Sequence, residues 1–270
     1  MSSSAPPVIC VLGLGEAGSR IAPDLAAAGA IVHVFDPKVP APAGLEGFSS
    51  DADAARGASI VLALTSAHEA LETLQLTLSG IDAGAIYADL NTGSAGLKTT
   101  LAKTAAQAGI AFADVALMAP VPGLGLRTPM LASGPAAGDY VRVLRSLGAT
   151  ATALPGPPGT AATRKLVRSV FYKGLAAAVT EALRAGCAAG CEDWLRADIG
   201  QVLEDASAAT VDRLEHGSIR HARRRMDEMK AAGDLLDELG VPSRVARASQ
   251  AWLEQLMTEA DPEQTTGSRG

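Results

Sequence analysis

Three glycines near the amino terminus have the spacing of a phosphate-binding turn. The turn follows the pattern G-x-G-x-x-G and consists of Gly13, Leu14, Gly15, Glu16, Ala17 and Gly18. An apolar run precedes it and residues with helical periodicity follow it, so N–H groups at the helix start can bind phosphate oxygens. The first glycine permits a tight bend, the second lets a pyrophosphate approach, and the third lets helix and strand pack closely. We therefore predict a dinucleotide site, against the alternative of a glycine-rich turn without a ligand.

An acidic residue ends the second predicted strand. A carboxylate at the position of Asp36 accepts hydrogen bonds from the adenosine ribose hydroxyls and repels a 2′-phosphate, which favours NAD over NADP. Lys38 can partly reverse this charge, and the alternative is that Asp36 only opens a turn before Pro37. Further cofactor contacts are expected after the third strand, from Leu64, Thr65 and Ser66.

A lysine near the start of the helical part of the chain can do acid–base chemistry. On a helix, Lys165, Ser169 and Tyr172 lie on one face. Partial burial lowers the pKa of a lysine, and a lysine tuned towards neutrality exchanges a proton with a substrate hydroxyl. The alternative is a solvated surface lysine, which composition alone favours.

Short apolar strands that alternate with amphipathic helices must position these residues. We predict strands at 8–12, 31–35, 60–64, 85–88, 110–113 and 130–133, and helices at 53–56, 71–78 and 96–109. This alternation predicts an α/β fold, with a doubly wound, mostly parallel Rossmann sheet over residues 1–158. After the Pro-Gly-Pro-Pro-Gly run at 155–159 we expect an all-helical domain over 159–260, with stops at Gly190, Gly217 and Gly240, and a flexible tail over 261–270.

Composition and charge narrow the possible partners. The chain has 270 residues, 48% of them hydrophobic and 3% aromatic, and a net charge of −6. A nucleic-acid partner needs a basic surface, so we exclude one. The sequence has neither an apolar run of membrane-spanning length nor a signal-peptide pattern, and we expect a cytoplasmic protein with no membrane partner.

The cysteines and histidines do not have the spacing of a metal site. Cys187 and Cys191 are four apart and suit a metal or redox pair, but no second ligand pair accompanies them, so packing is the favoured interpretation. Cys10 lies in the first strand as core filler. The histidines show no ligand spacing, and we predict no metal.

Four segments, in order along nearly the whole chain, make the sequence resemble the β-hydroxyacid dehydrogenases, the superfamily of 3-hydroxyisobutyrate and 6-phosphogluconate dehydrogenases. They are the glycine turn, the segment 89–94 (family Asp-x-Ser-Thr), the segment from Asp114 to Gly125, and 165–169 (family Lys-x-x-x-Asn). In the third segment, residues 119–123 stand where the family has Ala-Pro-Val-Ser-Gly-Gly, and we call residues 119–125 the 119–125 motif. The chain is similar to the branch labelled phosphogluconate dehydrogenase, NAD-binding, putative C-terminal.

This resemblance implies hydride transfer between a nicotinamide and the hydroxyl carbon of a small β-hydroxy acid or related alcohol. Lys165 corresponds to the family's general acid/base, with Ser169 or Tyr172 positioning it or the substrate. Asn91 is expected at the cofactor. The residues expected at a carboxylate-bearing substrate are Thr92, Ser94, Val121, Pro122 and Gly123. The resemblance also implies an active site in the cleft between the domains and a homodimer formed through the helical domains.

Two departures from the family pattern put its usual substrates in doubt. Pro122 stands where the family has a substrate-binding serine, and Ser169 where it has an asparagine. One alternative is imine reduction, which relatives of this fold perform, although they usually lack the lysine that Lys165 retains. Another is a non-catalytic NAD(P)-binding sensor or scaffold, because fold does not decide function.

A basic run follows in the helical part, comprising Arg220, His221, Arg223, Arg224 and Arg225. Arginine forks bind carboxylates or phosphates. The alternative, favoured for most of the run, is a solvated helix face paired with Asp227 and Glu228. We expect His221 and Arg224, three apart, to be the better candidates for substrate contacts, with Arg127 and Arg168 as similar candidates.

Overall fold

The computed structural model describes residues 5–260. Its chain divides into two compact units, Met1–Arg168 and Ser169–Gly270. The division falls inside a helix, beyond the domain boundary expected at 158. The tail predicted to be flexible, 261–270, lies outside the described residues.

The first unit is built on one eight-stranded sheet. Its strands are β1 (Val8–Leu12), β2 (Ile31–Phe35), β3 (Glu46–Gly47), β4 (Ile60–Ala63), β5 (Ile86–Asp89), β6 (Ala111–Leu117), β7 (Met130–Ser133) and β8 (Ala151–Ala153). The strand order is β3-β2-β1-β4-β5-β6-β7-β8, and every pair is parallel except β6 with β7. The order reverses beside β1, and ligands of such sheets bind at this switch point, beyond the carboxyl ends of the strands. The predicted Rossmann sheet is confirmed.

Helices cover both faces of this sheet. They are α1 (Gly18–Ala27), α2 (Asp51–Ala55), α3 (Ala70–Thr77), α4 (Ala95–Gln107) and α5 (Ala137–Ser146), with a short 3₁₀ turn at Gly125–Arg127. Successive strand residues point to opposite faces, so Ile9 and Val11 belong to one core, with α1 and α5. Cys10 and Leu12 belong to the other, with α2, α3 and α4. Burial raises the pKa of the Cys10 thiol and keeps it protonated, as core filler should be.

Two strands were not predicted. β3 has two residues, both exposed, and β8 has three, too short for an alternation to show. β6 also continues to Leu117, beyond its predicted end at 113. Its extension pairs with β7 in antiparallel register, a pairing between distant residues that no local pattern signals.

The remaining helices are α6 (Thr160–Ala188), α7 (Glu192–Glu204), α8 (Ala208–Arg220), α9 (Ala222–Glu238) and α10 (Arg244–Ala260). Gly190 and Gly240, both with positive φ, follow α6 and α9 as predicted. The predicted stop at Gly217 is wrong. Helix α8 continues through Gly217 to Arg220, and the helical run breaks at His221 instead.

The second unit is held by a few specific contacts. Both oxygens of the Glu181 carboxylate accept N–H groups at the start of α10, from Val245 and Ala246 at 2.8 Å each. Arg247 of α10 pairs with Asp234 and Asp237 of α9 at 2.8 and 2.7 Å. None of the described helices combines the length and apolar composition that a membrane span requires.

Candidate active site

The three glycines of the turn differ in what surrounds them. Gly13 has φ +92°, and a Cβ there would lie 2.5 Å from the Leu64 carbonyl oxygen. A Cβ on Gly18 would lie 1.9 Å from the Gly13 oxygen, whereas one on Gly15 would meet no atom within 4 Å. The first and third glycines therefore allow the backbone to pack, and the second faces open space into which a pyrophosphate fits.

The backbone after this turn offers donors for an anion. Within residues 5–260, the N–H groups of Gly15, Glu16 and Ala17 have no protein acceptor. No acidic residue occupies the first turn of α1 and no side chain caps it. Free N–H groups and the positive end of the helix dipole make this a suitable cradle for the cofactor phosphates.

Asp36 follows β2 and is tied to the glycine turn. One carboxylate oxygen accepts the Leu14 N–H at 2.7 Å, and the other accepts those of Lys38 and Val39 at 2.7 and 2.9 Å. Burial raises the pKa of Asp36, but these three donors and the charge of Lys38 outweigh it, so the pKa is below its ordinary value of 3.8. The carboxylate is therefore ionised at neutral pH.

A cleft of about 520 Å³, which we call the cofactor cleft, opens beside this turn. It is lined by Gly13, Gly15, Phe35, Asp36, Pro37, Lys38, Asp51, Leu64, Thr65, Glu69, Glu72, Thr73 and Leu76. Seven residues predicted for the cofactor are among them. The predicted cofactor residues outside this lining are Leu14, Glu16, Ala17, Gly18, Ser66 and Asn91. The Ser66 hydroxyl donates to the Glu69 carboxylate and accepts the Glu69 N–H.

The cofactor cleft is acidic. Four of its residues are carboxylic acids and one is a lysine, Lys38, whose ammonium lies 3.9 Å from the Glu69 carboxylate. Burial raises the pKa of Asp51, and the negative charges of Glu72 and Asp36 raise it further. The 2′-phosphate that distinguishes NADP from NAD would meet mainly negative charge in this cleft.

Three charged side chains, Asp89, Lys98 and Asp114, are buried together where the end of β5 pairs with the middle of β6; we call them the buried ion cluster. The Lys98 ammonium lies 2.6 Å from Asp89 Oδ2 and 3.2 Å from Asp114 Oδ1, and donates to the Asp89 carbonyl at 2.9 Å. Burial raises the pKa of Asp89, and the charge and hydrogen bond of Lys98 offset this only in part. Asn91 donates to Asp89 at 2.6 Å and to Thr65 of the cofactor cleft at 3.3 Å.

The other side of the buried ion cluster holds the start of α6. Asp114 Oδ2 accepts the N–H groups of Gly159 and Ala162 at 2.9 and 3.1 Å. Asp114 Oδ2 also accepts a hydrogen bond from the Ser133 hydroxyl at 3.0 Å. The Ser133 oxygen in turn accepts the Ala161 N–H at 3.0 Å. A carboxylate at a helix N-terminus satisfies free donors and complements the helix dipole. Residues of β6 and β7 therefore fix the first turn of α6.

Lys165 lies in the second turn of α6 and is half-buried. One turn further on, Arg168 donates to the Met118 carbonyl at 2.8 Å. The segment that carries Lys165 is thus anchored at its start by Asp114 and at its end by Met118, which directly precedes the 119–125 motif. Ser169 and Tyr172, on the same helix, belong to the second unit.

The 119–125 motif forms a tight turn in which some backbone N–H groups already bind a carbonyl of the turn itself. Leu124 and Gly125 donate their N–H groups to the Val121 carbonyl at 3.0 and 2.8 Å, so they are not free to bind a carboxylate. Within the described residues, the N–H groups of Val121 and Gly123 have no protein acceptor. Pro122 is exposed and has no N–H.

The other predicted residues have diverse surroundings. Ser94 caps α4 by accepting the Leu97 N–H at 3.2 Å, and Thr92 is exposed. Arg224 is exposed and pairs with Glu228, and His221 is exposed between α8 and α9. Within the second unit, therefore, neither Arg224 nor His221 has the surroundings of a ligand-binding residue. Across residues 5–260, no group of three or more His, Cys, Asp or Glu residues is arranged to hold a metal.

Lys98 and Ser133 were not predicted as functional residues, and Asp89 and Asp114 were named only as the first residues of segments that resemble the family. A signal for Lys98 was present, because it shares a helix face with Leu101 and Ala105, the buried residues of α4. A lysine within a buried apolar stripe needs a carboxylate partner.

The fold and the cofactor cleft define a Rossmann dinucleotide-binding protein. Residues 8–152 match the family described as the NAD binding domain of 6-phosphogluconate dehydrogenase, and the chain belongs to this family. Residues 187–256 match a domain of unknown function, DUF1932. No curated protein matches the chain.

Solved structures share the fold. An imine reductase from Myxococcus stipitatus in complex with NADP+ has a TM-score of 0.78 at 19% identity, over 94% of this chain and 95% of that one. A conserved hypothetical protein from Sinorhizobium meliloti has a TM-score of 0.61 at 25% identity, over 99% and 92%. The conserved protein MTH1747, described as structurally similar to 3-hydroxyacid dehydrogenases, has a TM-score of 0.58 at 24% identity, over 92% and 97%. The chain is an NAD(P)-binding oxidoreductase of the fold that hydroxyacid dehydrogenases and imine reductases share.

Proposed function

We propose that the protein transfers a hydride between a nicotinamide and the hydroxyl carbon of a small β-hydroxy acid or related alcohol, with Lys165 as the general acid/base. The observation that carries this proposal is the anchoring of the Lys165 segment. Asp114 holds its start and the Met118 carbonyl holds its end. A lysine fixed beside the 119–125 motif has the precision that proton transfer needs.

The proton and the hydride leave the substrate together. When bound, the nicotinamide supplies the two-electron chemistry by accepting a hydride from the hydroxyl carbon or returning it. As the C–H bond breaks, the neutral amine of Lys165 takes the hydroxyl proton and the C–O bond becomes a carbonyl. In the reverse direction the Lys165 ammonium donates that proton to the forming hydroxyl.

A substrate carboxylate would bind to the backbone of the 119–125 motif. The N–H groups of Val121 and Gly123 are the two without a protein acceptor among residues 121–125. With proline in place of a serine hydroxyl at 122, this turn gives backbone donors only. We therefore propose a substrate whose carboxylate needs fewer contacts than those of the usual family members. Thr92 and Ser94, with Ser169 and Tyr172, remain candidates for orienting the substrate.

NAD is the proposed cofactor. Asp36 is ionised, and three further carboxylic acids line the same cleft. Their charges oppose the 2′-phosphate of NADP and leave the ribose hydroxyls of NAD as suitable donors to Asp36.

Imine reduction is the second candidate, and the similarity in fold to imine reductases favours it. Likeness at 19% identity shows the fold alone, and Lys165 has a clearer task with a hydroxyl than with an imine. A sensor or scaffold would bind the cofactor without turnover.

A substrate panel separates these three functions. The protein is mixed with NAD+ or NADP+ and 3-hydroxy acids, or with NADH or NADPH and either 3-oxo acids or cyclic imines. Absorbance reports the reduced nicotinamide. We expect turnover of at least one 3-hydroxy acid or 3-oxo acid. Turnover of imines alone would contradict the proposal, and NADH binding without any turnover would support the sensor.

We also propose a homodimer formed through the helical unit, in the cytoplasm. Helices α7 and α8 bury none of their residues within the chain. They expose large apolar side chains, namely Trp194, Val202, Leu203, Val211, Leu214 and Ile219. Exposed apolar surface on this scale is typical of a protein–protein interface.

A further inference from the structure

We propose that Lys98 and Asp114 are positioning residues, which hold the start of helix α6, and with it Lys165, in a fixed place relative to the cofactor cleft. This inference rests on the proposed role of Lys165. Lys98 lies outside the four segments that resemble the family, and Asp114 opens the third of them but is not one of the residues expected at the cofactor or the substrate.

Burying the three ions of the cluster costs free energy. Asp89, Lys98 and Asp114 are each fully buried. Removing three ions from water costs several kcal/mol for each, and an apolar cluster of the same volume is often equally stable or more stable. Stability alone therefore explains a buried ion cluster poorly. Its role in positioning neighbouring elements explains it better.

Lys98 lies between the two carboxylates. Its ammonium donates to the Asp89 carbonyl at 2.9 Å and forms ion pairs with Asp89 Oδ2 at 2.6 Å and Asp114 Oδ1 at 3.2 Å. The ammonium therefore joins β5 to β6 inside the cluster. It fixes the Asp114 carboxylate, whose other oxygen accepts the Gly159 and Ala162 N–H groups.

The buried ion cluster is also connected to the cofactor cleft. Asn91 donates to both Asp89 and Thr65, and Thr65 lines the cleft. An unbroken polar path therefore runs from the cleft through the buried ion cluster to the first turn of α6. Because a misplacement of about 1 Å can reduce a rate about 100-fold, a rigid connection between the cofactor and the acid/base has a direct catalytic use.

The main test is Asp114→Asn in the full-length protein. The amide keeps one acceptor oxygen but loses the charge that holds Lys98 and the helix N-terminus. With the panel compound that wild type turns over, we expect kcat to fall about 10- to 100-fold. The KM of that compound and the Kd of NADH should change by less than about threefold, because neither binding site is touched.

A matched control separates positioning from stability. Arg145→Met removes a 2.6 Å bond from Nε to the Ala151 carbonyl of β8, at the edge of the sheet. It should lower the melting temperature but leave kcat within about twofold. If Asp114→Asn also retains wild-type kcat, or if kcat and NADH affinity fall in parallel, the positioning role is wrong.

Lys98→Met leaves two buried carboxylates without their cation, a loss large enough to prevent folding. The variant Lys98→Met with Asp89→Asn removes one charge of each sign, and we expect it to fold and to show the same loss of kcat. A folded double variant with wild-type kcat would overturn the role of Lys98.

Hydrogen exchange makes the test independent of turnover. With NADH bound, Asp114→Asn should speed exchange of amides 159–168 and leave those of α1 unchanged. If wild type turns over no panel compound, the proposed function fails, whereas this measurement still tests the anchor. Unchanged exchange at 159–168 would contradict the anchor whatever the activity.

Discussion

Gly15 and Gly18 show how single residues separate folding from binding. A methyl group on Gly18 would meet the Gly13 oxygen, whereas one on Gly15 would meet no protein atom within 4 Å. The pattern G-x-G-x-x-G makes the glycines look alike, but the structure gives them different tasks. One permits packing and the other leaves room for a ligand.

The first prediction concerns these two glycines. Gly15→Ala should leave the melting temperature unchanged and weaken NADH binding at least tenfold, because the methyl group occupies the pyrophosphate space. Gly18→Ala should instead destabilise the fold by several kcal/mol, since the backbone of α1 must move. Thermal unfolding and NADH fluorescence titration measure the two effects. Unaltered NADH affinity in Gly15→Ala would mean that the cofactor does not approach this turn.

The second prediction concerns Asp36 and cofactor choice. Wild type should bind NADH at least tenfold more tightly than NADPH, and Asp36→Ser should narrow that ratio. Added salt should improve NADPH binding more than NADH binding, because it screens the carboxylates that repel the 2′-phosphate. Fluorescence titrations at two ionic strengths test this, and tighter binding of NADPH by wild type would contradict it.

The pKa of Asp36 sets the pH range of this preference. Its folded-state pKa is lowered, so the carboxylate and its bonds to Leu14, Lys38 and Val39 persist at all pH values above its ordinary pKa of 3.8. Their contribution to stability is lost only as the pH falls below that value, through the lowered folded-state pKa. Asp36 should therefore stay ionised from pH 5 to pH 8, and the preference for NADH should increase with pH as the 2′-phosphate loses its second proton, whose pKa is about 6, and as Asp51 ionises.

At the scale of the elements, two helices start on carboxylates from distant parts of the chain. Asp114 of β6 caps α6, and Glu181 of α6 caps α10. A sequence pattern finds a cap only when the capping residue is adjacent, as Ser94 is to α4. The predicted helices were therefore correct in type, whereas the groups that hold their starts could not be predicted.

The third prediction tests the second of these caps. Glu181→Ala should lower the free energy of unfolding by about 1–2 kcal/mol, because two N–H groups of α10 lose their acceptor. Glu181→Gln should cost less, since an amide oxygen can still accept one of them. Chemical denaturation followed by circular dichroism measures both. Equal stability of Glu181→Ala and wild type would show that water replaces the carboxylate without loss.

The local patterns predicted much of the sheet and little of the polar interior. The strand at Met130–Ser133 was predicted with its observed bounds. The glycine turn and Asp36 line a cleft beside β1, where the strand order reverses. The buried ion cluster was missed because it joins β5, α4 and β6 through side chains, and lysine is typically a solvent-exposed residue. The break at His221 was not predicted, because the end of the helix was placed at the nearest glycine, Gly217.

At the scale of the whole molecule, the helical unit exposes a large apolar surface. Its helices α7 and α8 expose apolar side chains that a globular domain would normally cover. A second copy of the chain is the proposed cover, and this leads to the fourth prediction.

Light scattering after gel filtration should give about twice the mass of one chain. The double variant Val211→Glu with Leu214→Glu places two charges on one apolar face of α8 and should yield monomers. The matched control, Arg213→Glu with His216→Glu, introduces the same residue at the same spacing on exposed polar positions of α8 and should remain dimeric. A monomeric wild type would contradict the proposed interface.

The most direct test of the central claim compares two lysines of α6. Lys165→Ala should lower kcat with the panel substrate by about 10²- to 10⁴-fold, the usual contribution of a general acid/base, and leave the Kd of NADH unchanged. A small primary amine added to this variant should restore part of the rate. Lys173→Ala, which changes an exposed lysine two turns further along the helix, should keep wild-type kcat. If Lys165→Ala turns over the substrate as fast as wild type does, Lys165 is not the acid/base and the proposed mechanism is wrong.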